Sequence, residues 1–258
     1  MQPPARPGAS TYASPVPGPP DPTDPLAAVS ALQGVPSALA AARDGIDARL
    51  RDRGRRLTGP DVTTESLFRG AVASASLAGS VCSADDLRAG RVDAPAAGCL
   101  RLSAELMGLL PTWRVSPLQV LARMHTLAAD AGPEYARGRP ADPAGAARLV
   151  DLADTLSRPT TAPALAVAAV VHAEIATAQP FGTVDGVVAR AAERLVLADR
   201  GVDPASVTVP EAGHAADPAE YRRSLAAYAG GGTSGVAAWL RYAAAAFTRG
   251  AQAAPLPD

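Results

Sequence analysis

The sequence predicts an all-α protein, and three observations support this class. Sixty of the 258 residues are alanine, and alanine, leucine and arginine favour helix. Aromatic residues make up 4% of the chain and runs of β-branched residues are few, which argues against a β-sandwich or a β-barrel. Apolar residues also recur at helical spacing from residue 26 to residue 248. Together these features predict one compact helical domain of about eight helices.

The predicted domain is flanked by two segments without helical periodicity. Residues 1–24 are dominated by proline, glycine and serine and predict a disordered tail. Residues 25–60 predict an N-terminal helical extension, and residues 61–249 predict the main helical domain. Residues 250–258 predict a disordered C-terminus.

In the first half of the chain, capping residues and helix-breaking glycine and proline predict where helices begin and end. Apolar residues at helical spacing predict a helix over residues 26–50, which Gly-Val-Pro at 34–36 interrupts. Ser, Thr and Asp at 61–65 and Ser83 predict two further helix starts. Glycine and proline at 131–143 predict a loop or a short β-hairpin flap. Amphipathic helices are predicted over residues 97–110, 117–129 and 144–156.

The second half contains the most apolar segment. Residues 164–178 follow a proline and are apolar nearly all round, which predicts the buried central helix of the domain. A turn follows at 179–183, and either Asp185 or Thr183 is predicted to cap the next helix, which ends at Gly201. Two last helices are predicted over residues 221–228 and 235–248.

Composition excludes several functions. The formal net charge of −1 gives no global basic field that would bind nucleic acid. The longest apolar stretch, residues 164–171, is too short to span a bilayer, and the N-terminus lacks the pattern of a signal peptide. We therefore expect a cytoplasmic protein that binds neither nucleic acid nor membrane. Cys82 and Cys99 form no CxxC pair and the three histidines are scattered, so no metal site is predicted.

Searches for general catalytic motifs find none. The chain has no GxSxG, GxGxxG, P-loop or HExxH pattern. His172 and Glu174 have the spacing of a deaminase HxE motif, but no PCxxC follows, so zinc chemistry of that kind is excluded. His172 and His125 are predicted to be hydrogen-bonded core residues. His214 is predicted to lie in an exposed loop.

One stretch is more informative. Residues 178–190, AQPFGTVDGVVAR, join the predicted central helix to the next one. This stretch resembles the signature HPFx(D/E)GNGRxxR of the Fic (Fido) family, which also joins two central helices. Four positions match at the right spacing: Pro180, Phe181, Gly186 and Arg190.

The resemblance extends to two further segments. Residues 117–127, PLQVLARMHTL, are similar to the LxxLHxxL helix of the family. Residues 71–80 resemble its N-terminal inhibitory helix, (S/T)xxxE(G/N), with Ser74 and Gly79 matching. Ala78 stands where that motif has its glutamate. The resemblance therefore covers most of the predicted main domain in the family's order.

The resemblance implies a Fic/Fido-like helical bundle and a chemistry. Active members of the family mostly transfer AMP from ATP to a protein hydroxyl. Their motif histidine is the general base, the acidic residue holds Mg²⁺, the Gly-Asn-Gly turn binds phosphates, and the second arginine pairs with the γ-phosphate. For this chain the resemblance implies ATP or another nucleotide with Mg²⁺ as the ligand, bound by Gly186 and Arg190.

This chain departs from the family at nearly every chemical position. Gln179 replaces the histidine, and an amide cannot accept a proton near neutral pH. Thr183 replaces the Mg²⁺-binding acid. Val184 replaces a glycine and is expected to resist a positive φ. Asp185 replaces the asparagine and places a negative charge where a phosphate would lie. Val187 replaces the first arginine. The sequence contains no asparagine at all.

Three hypotheses follow from these departures. The first is a catalytically inactive Fic-like domain that binds a protein partner or a nucleotide and has a regulatory role. The second is an active nucleotidyl- or phosphoryl-transferase in which Asp185 or Glu174 performs acid–base chemistry. The third is an alanine-rich helical domain whose motif matches by chance. Arg190 has its own alternative, because a buried arginine can instead pair with Glu193 or Asp185. The sequence predicts no oligomeric state.

Overall fold

The computed structural model describes residues 23–51, 60–129 and 136–255. This part of the chain is helical and contains no strand, which confirms the all-α class. None of its helices is both long and apolar enough to cross a membrane. A 3-10 helix covers Leu106–Leu109. The α-helices are α1 (Pro25–Ser30), α2 (Val35–Arg51), α3 (Pro60–Leu77), α4 (Ala84–Arg88), α5 (Ala94–Glu105), α6 (Leu110–Trp113), α7 (Pro117–Ala128), α8 (Pro143–Ser157), α9 (Ala164–Ala178), α10 (Asp185–Asp199), α11 (Pro210–Ala215), α12 (Pro218–Ala229) and α13 (Gly232–Gln252).

Two local signals of the first half form as predicted, whereas the helix start predicted at residues 61–65 is wrong, because α3 covers Pro60–Leu77 and includes them. The interruption near Gly34 separates α1 from α2, and Gly34 adopts φ 77° between them. Ser83 and Asp86 form a reciprocal capping box at the start of α4. Asp24 caps α1 by accepting the N–H groups of Leu26 and Ala27. These ends are fixed by side chains within three residues of the backbone they bind.

Helix α9 is the centre of the bundle, as its apolar composition predicted. It packs along α10 and contacts α1, α2, α8, α12 and α13. Residues 165–169 are at most 2% exposed. Small alanine side chains among them let neighbouring helices approach closely. The end of α9 and the start of α10 are therefore held in fixed positions.

The C-terminal end differs from the prediction. Helix α13 runs to Gln252, beyond the predicted end at residue 248, and α11 was not predicted. The two helices pack closely because both carry glycine at their contact: a Cβ on Gly213 would lie 1.9 Å from the oxygen of Ala246. The N–H of Val209 also donates to the oxygen of Gly250 at 2.9 Å. Helix α13 therefore includes residues 250–252 of the predicted C-terminal segment, and residues 256–258 lie outside the described ranges.

The predicted flap is described only in part. Residues 131–135 lie outside the described ranges, as do residues 1–22 of the predicted tail. Residues 136–142 form turns and contain no strand. Two hydrogen bonds tie this segment to the rest of the protein: Ala141 N donates to Pro180 O at 2.9 Å, and Gly138 N donates to His125 Nδ1 at 2.9 Å.

Candidate functional site

The turn between α9 and α10 has an unusual backbone. Gln179, Gly182 and Val184 all have positive φ, at 48°, 74° and 49°. Val184 adopts the positive φ that a valine was expected to resist. A left-handed conformation costs an L-residue about 1–2 kcal/mol. The first hydrogen bonds of α10 hold it in place, because Val187 N and Val188 N both donate to Val184 O, at 2.8 and 3.1 Å.

Asp185 binds the turn that precedes it. The prediction that Asp185 or Thr183 caps α10 is wrong, because Val184 occupies the N-cap position and no side chain caps there. Instead, Asp185 Oδ1 accepts the N–H of Phe181 at 2.9 Å. Burial raises the pKa of Asp185 to about 6, although hydrogen bonds from the Phe181 and Gly182 backbone oppose the rise. The carboxyl group therefore lies inside the turn, against N–H groups that an anion would otherwise bind.

The raised pKa of Asp185 predicts a pH-dependent stability. The pKa is about 6 in the folded protein, against 3.8 for an unperturbed aspartate. The folded state therefore holds this proton more tightly, and the stabilisation present below pH 4 is lost as the pH rises through 6. We expect the free energy of unfolding of wild type, relative to Asp185→Asn, to fall by about 1–3 kcal/mol between pH 4 and pH 7. Urea denaturation of both proteins across this range measures it, and a pH-independent difference would contradict it.

Arg190 is buried on α10 and bonded inside the protein. Its Nε donates to Ser74 Oγ at 2.9 Å and its Nη2 to Ser74 O at 3.1 Å. Its Nη1 donates to the Tyr221 hydroxyl at 3.3 Å. Neither Glu193 nor Asp185, the carboxylates considered as its partners, accepts a hydrogen bond from it. Three of its five N–H groups are thus directed at neutral oxygens of the protein.

The three residues that align with the inhibitory motif, Ser74, Ala78 and Gly79, lie near the end of α3. Ser74 is buried and accepts the hydrogen bonds from Arg190. Ala78 lies just beyond the helix end, close to the turn after α9. Gly79 follows with φ 91° and is exposed. A hydroxyl and a carbonyl, rather than a carboxylate, therefore contact the arginine.

A cleft of about 500 Å³ opens at the N-terminus of α10. It brings together eight of the residues singled out in the sequence. Ser74 is connected to it through Arg190, whereas Gly79 does not line it. The end of α3, the start of α5 and the end of α7 form the opposite walls. The lining residues are Leu77, Ala78, Ala94, Pro95, Ala128, Ala129, Gln179, Gly182, Thr183, Val184, Asp185, Gly186, Val187 and Arg190.

His125 supports the turn from α7 and was predicted only as a core residue. Its ring stacks on Phe181 with centroids 4.5 Å apart. Gly138 N donates to His125 Nδ1, so in the neutral ring Nε2 carries the proton and faces Thr183 Oγ1 at 3.2 Å. Burial lowers the pKa of His125 and keeps the ring neutral. Thr183 aligns with the metal-binding acid of the signature, and its hydroxyl contacts His125.

The other two histidines meet behind the cleft. The prediction that His214 is exposed is wrong, because it lies in α11 at 0% exposure. The histidines are not scattered either: His172 and His214 contact different oxygens of the Glu193 carboxylate, with ring centroids 4.7 Å apart. The Tyr221 hydroxyl contacts both Arg190 and His172 Nε2. Tyr221 therefore connects this cluster to Arg190, which lines the cleft.

Glu174, a candidate acid–base residue, does not reach the cleft. It forms an ion pair with Arg148 and accepts a hydrogen bond from the Tyr228 hydroxyl at 2.6 Å. Arg148 belongs to α8 and Tyr228 to α12, and neither residue lines the cleft. Asp185 is consequently the carboxylate that the described structure places in the cleft.

The fold and the site define an all-α domain whose central helix–turn–helix opens a cleft at the start of its second helix. Solved structures share this architecture. A Fic family protein from Desulfovibrio desulfuricans G20 is 17% identical, with a TM-score of 0.69, covering 92% of this chain and 76% of that one. A fragment of Fic-1 from C. elegans is 18% identical, with a TM-score of 0.65, covering 90% of this chain and 77% of that one. The chain therefore has the Fic fold.

No family model matches the sequence, and no curated protein matches it.

Proposed function

We propose that this chain is a catalytically degenerate Fic-fold protein that acts as a binding or regulatory module. The observation that carries this proposal is the position of the Asp185 carboxyl group, which accepts the Phe181 N–H inside the turn. Backbone N–H groups at a helix N-terminus attract phosphate because they provide donors and positive potential. Asp185 is the first residue of α10, so its carboxylate places a negative charge at this N-terminus and repels an anion.

The other lining residues do not suit ATP with Mg²⁺. Magnesium is bound mainly through carboxylates and phosphates, and the only carboxylate of the described lining is engaged in the turn. The Thr183 hydroxyl faces His125. Gln179 has no basic atom that could take a proton from a hydroxyl nucleophile. Arg190, the remaining cation, already donates to Ser74 and Tyr221.

The lining suits an uncharged group instead. Small and apolar side chains form most of the walls, and the Gln179 amide and the Thr183 hydroxyl are the neutral polar groups. A concave, largely apolar site with few polar groups binds neutral ligands well, and about 500 Å³ accommodates a few side chains. We therefore propose a protein partner that inserts an uncharged segment into the cleft.

An active enzyme with altered chemistry is the second candidate. The observation that favours it is again Asp185, because a pKa raised to about 6 by burial suits a general acid or base near neutral pH. This candidate predicts that any group transfer requires the Asp185 carboxyl group. The two candidates therefore differ in a measurable way.

A labelling experiment separates them. The full chain is incubated with Mg²⁺ and labelled ATP, GTP, UTP or CDP-choline, alongside Asp185→Asn. We expect no covalent label on either protein. Labelling of wild type that is lost in Asp185→Asn would establish the second candidate and overturn the first.

Calorimetry tests the nucleotide site separately. We expect no heat of binding when millimolar ATP is added to wild type, because the Asp185 carboxylate inside the turn would repel the phosphates. Heat that Arg190→Ala abolishes would show that Gly186 and Arg190 still bind a nucleotide. That result would contradict the proposed exclusion of phosphate from the turn.

A further inference from the structure

A cluster of three ionisable side chains lies inside the bundle, behind the cleft. His172 comes from α9, Glu193 from α10 and His214 from α11, and the side chains of all three are 0% exposed. One ligand atom from each residue lies within 4.8 Å of the other two. Three helices thus bring two imidazoles and a carboxylate to one point. The function proposed above uses none of these groups.

The distances suit a shared ion. His172 Nδ1 lies 3.0 Å from Glu193 Oε1, and His214 Nε2 lies 2.9 Å from Glu193 Oε2. Zinc binds nitrogen and oxygen at about 2.0–2.2 Å in tetrahedral geometry, which places neighbouring ligand atoms about 3.3 Å apart. The two nitrogen–oxygen separations are close to this value, and one ligand atom from each of the three residues lies within 4.8 Å of the others. A small adjustment of the side chains would therefore accommodate the ion.

Two atoms of the cluster point independently to a ligand. His172 Nδ1 and Glu193 Oε1 are fully buried and make no correctly directed hydrogen bond, although they are 3.0 Å apart. A buried polar atom without a partner costs about 1–3 kcal/mol. A metal ion between the three residues would satisfy both atoms at once.

The outer contacts orient each imidazole. His172 Nε2 lies 2.8 Å from the Tyr221 hydroxyl, and His214 Nδ1 lies 3.2 Å from the Tyr242 hydroxyl. Each ring therefore turns one nitrogen to Glu193 and the other to a tyrosine. Metal-binding histidines typically make such a second hydrogen bond, which fixes the ring and its tautomer.

We propose that His172, Glu193 and His214 bind one divalent transition-metal ion of the zinc class. Two nitrogens and one oxygen favour such an ion over Mg²⁺ or Ca²⁺, which prefer oxygen ligands. Three protein ligands leave a fourth position for water or another small ligand. The ion would hold α9, α10 and α11 together behind the cleft.

Metal analysis of the purified full chain tests the proposal. The protein is prepared without a polyhistidine tag, incubated with Zn²⁺ and dialysed. We expect about one equivalent of zinc in wild type, and a loss of about tenfold or more in Glu193→Gln and His214→Gln. His125→Gln is the matched control, because it alters a buried histidine outside the cluster, and it should retain the metal.

Thermal unfolding of wild type gives a second measurement that needs no variant. After removal of metal with a chelator, Zn²⁺ at about 100 times its Kd should raise Tm by about 5 °C or more, whereas Mg²⁺ should not. Wild type that retains no zinc and shows no rise in Tm would overturn the proposal, and the cluster would then be a metal-free hydrogen-bond network. Equal zinc content in wild type and Glu193→Gln would overturn it as well.

Discussion

Glu211→Gln is expected to lower the free energy of unfolding by about 3–5 kcal/mol, because it leaves a buried arginine without its counter-charge. Glu211 accepts two hydrogen bonds from Arg194, Nε to Oε1 at 2.8 Å and Nη2 to Oε2 at 2.6 Å. The Arg194 side chain is 2% exposed. Arg194 Nη1 also donates to Ser66 Oγ and Ser206 Oγ. Glutamine keeps the shape of the side chain but removes the charge.

The chain offers a matched control for this substitution. Glu105 accepts hydrogen bonds from Nε and Nη2 of Arg123, but the side chains of Glu105 and Arg123 are nearly half exposed, at 46% and 47%. Glu105→Gln should therefore cost about 1 kcal/mol or less. Equal losses for the two variants in urea denaturation would contradict the role of burial. The double variant Arg194→Met with Glu211→Leu should recover most of the loss, because it removes both charges.

Gly98→Ala is expected to destabilise the protein by about 3 kcal/mol and to change the wall of the cleft. A Cβ on Gly98 would lie 2.1 Å from the carbonyl oxygen of Ala128 and 3.0 Å from its carbon. Gly98 lies in α5 and Ala128 is the last residue of α7, so the two helices would have to move apart to make room for the Cβ. Ala94, Pro95 and Ala128 line the cleft, and the same movement would therefore widen it.

Gly108→Ala controls for the general effect of replacing glycine by alanine. Nothing lies within 4 Å of a Cβ built on Gly108, and its φ is not positive. This variant should have the stability of wild type or exceed it by about 0.5–1 kcal/mol. A Gly98→Ala protein as stable as Gly108→Ala would contradict the close approach of α5 and α7. Thermal and urea unfolding of the two variants provide the comparison.

Long helices with local signals were predicted closely. The bounds of α9 are those predicted, and the break at Gly34 and the capping box at Ser83 are confirmed. Each depends on residues a few positions apart, which the sequence displays directly. Helix α11 was missed because six residues make less than two turns and show no periodicity. Its burial depends on Gly213, which contacts a helix more than thirty residues away along the chain.

The sequence predicted where the candidate site lies in the chain, but not the contacts that its residues make. The turn, Asp185 and Arg190 were identified from the signature, and the structure places them at one cleft. The role of Asp185 could not be read locally, because an aspartate suits both a helix cap and a turn. The left-handed backbone of Val184 turns the carboxyl group towards Phe181. His125 was visible only as part of a helix similar to that of the family, and its contact with the turn is tertiary.

The sequence by itself determined the helical class, the central position of α9 and the absence of the histidine and asparagine of the Fic signature. These follow from composition, periodicity and residue identity. Only the tertiary structure decided which side chains meet: Arg190 with Ser74, and Glu193 between His172 and His214. The physical reason is that such contacts join helices far apart in the chain, and their formation depends on how closely whole helices pack.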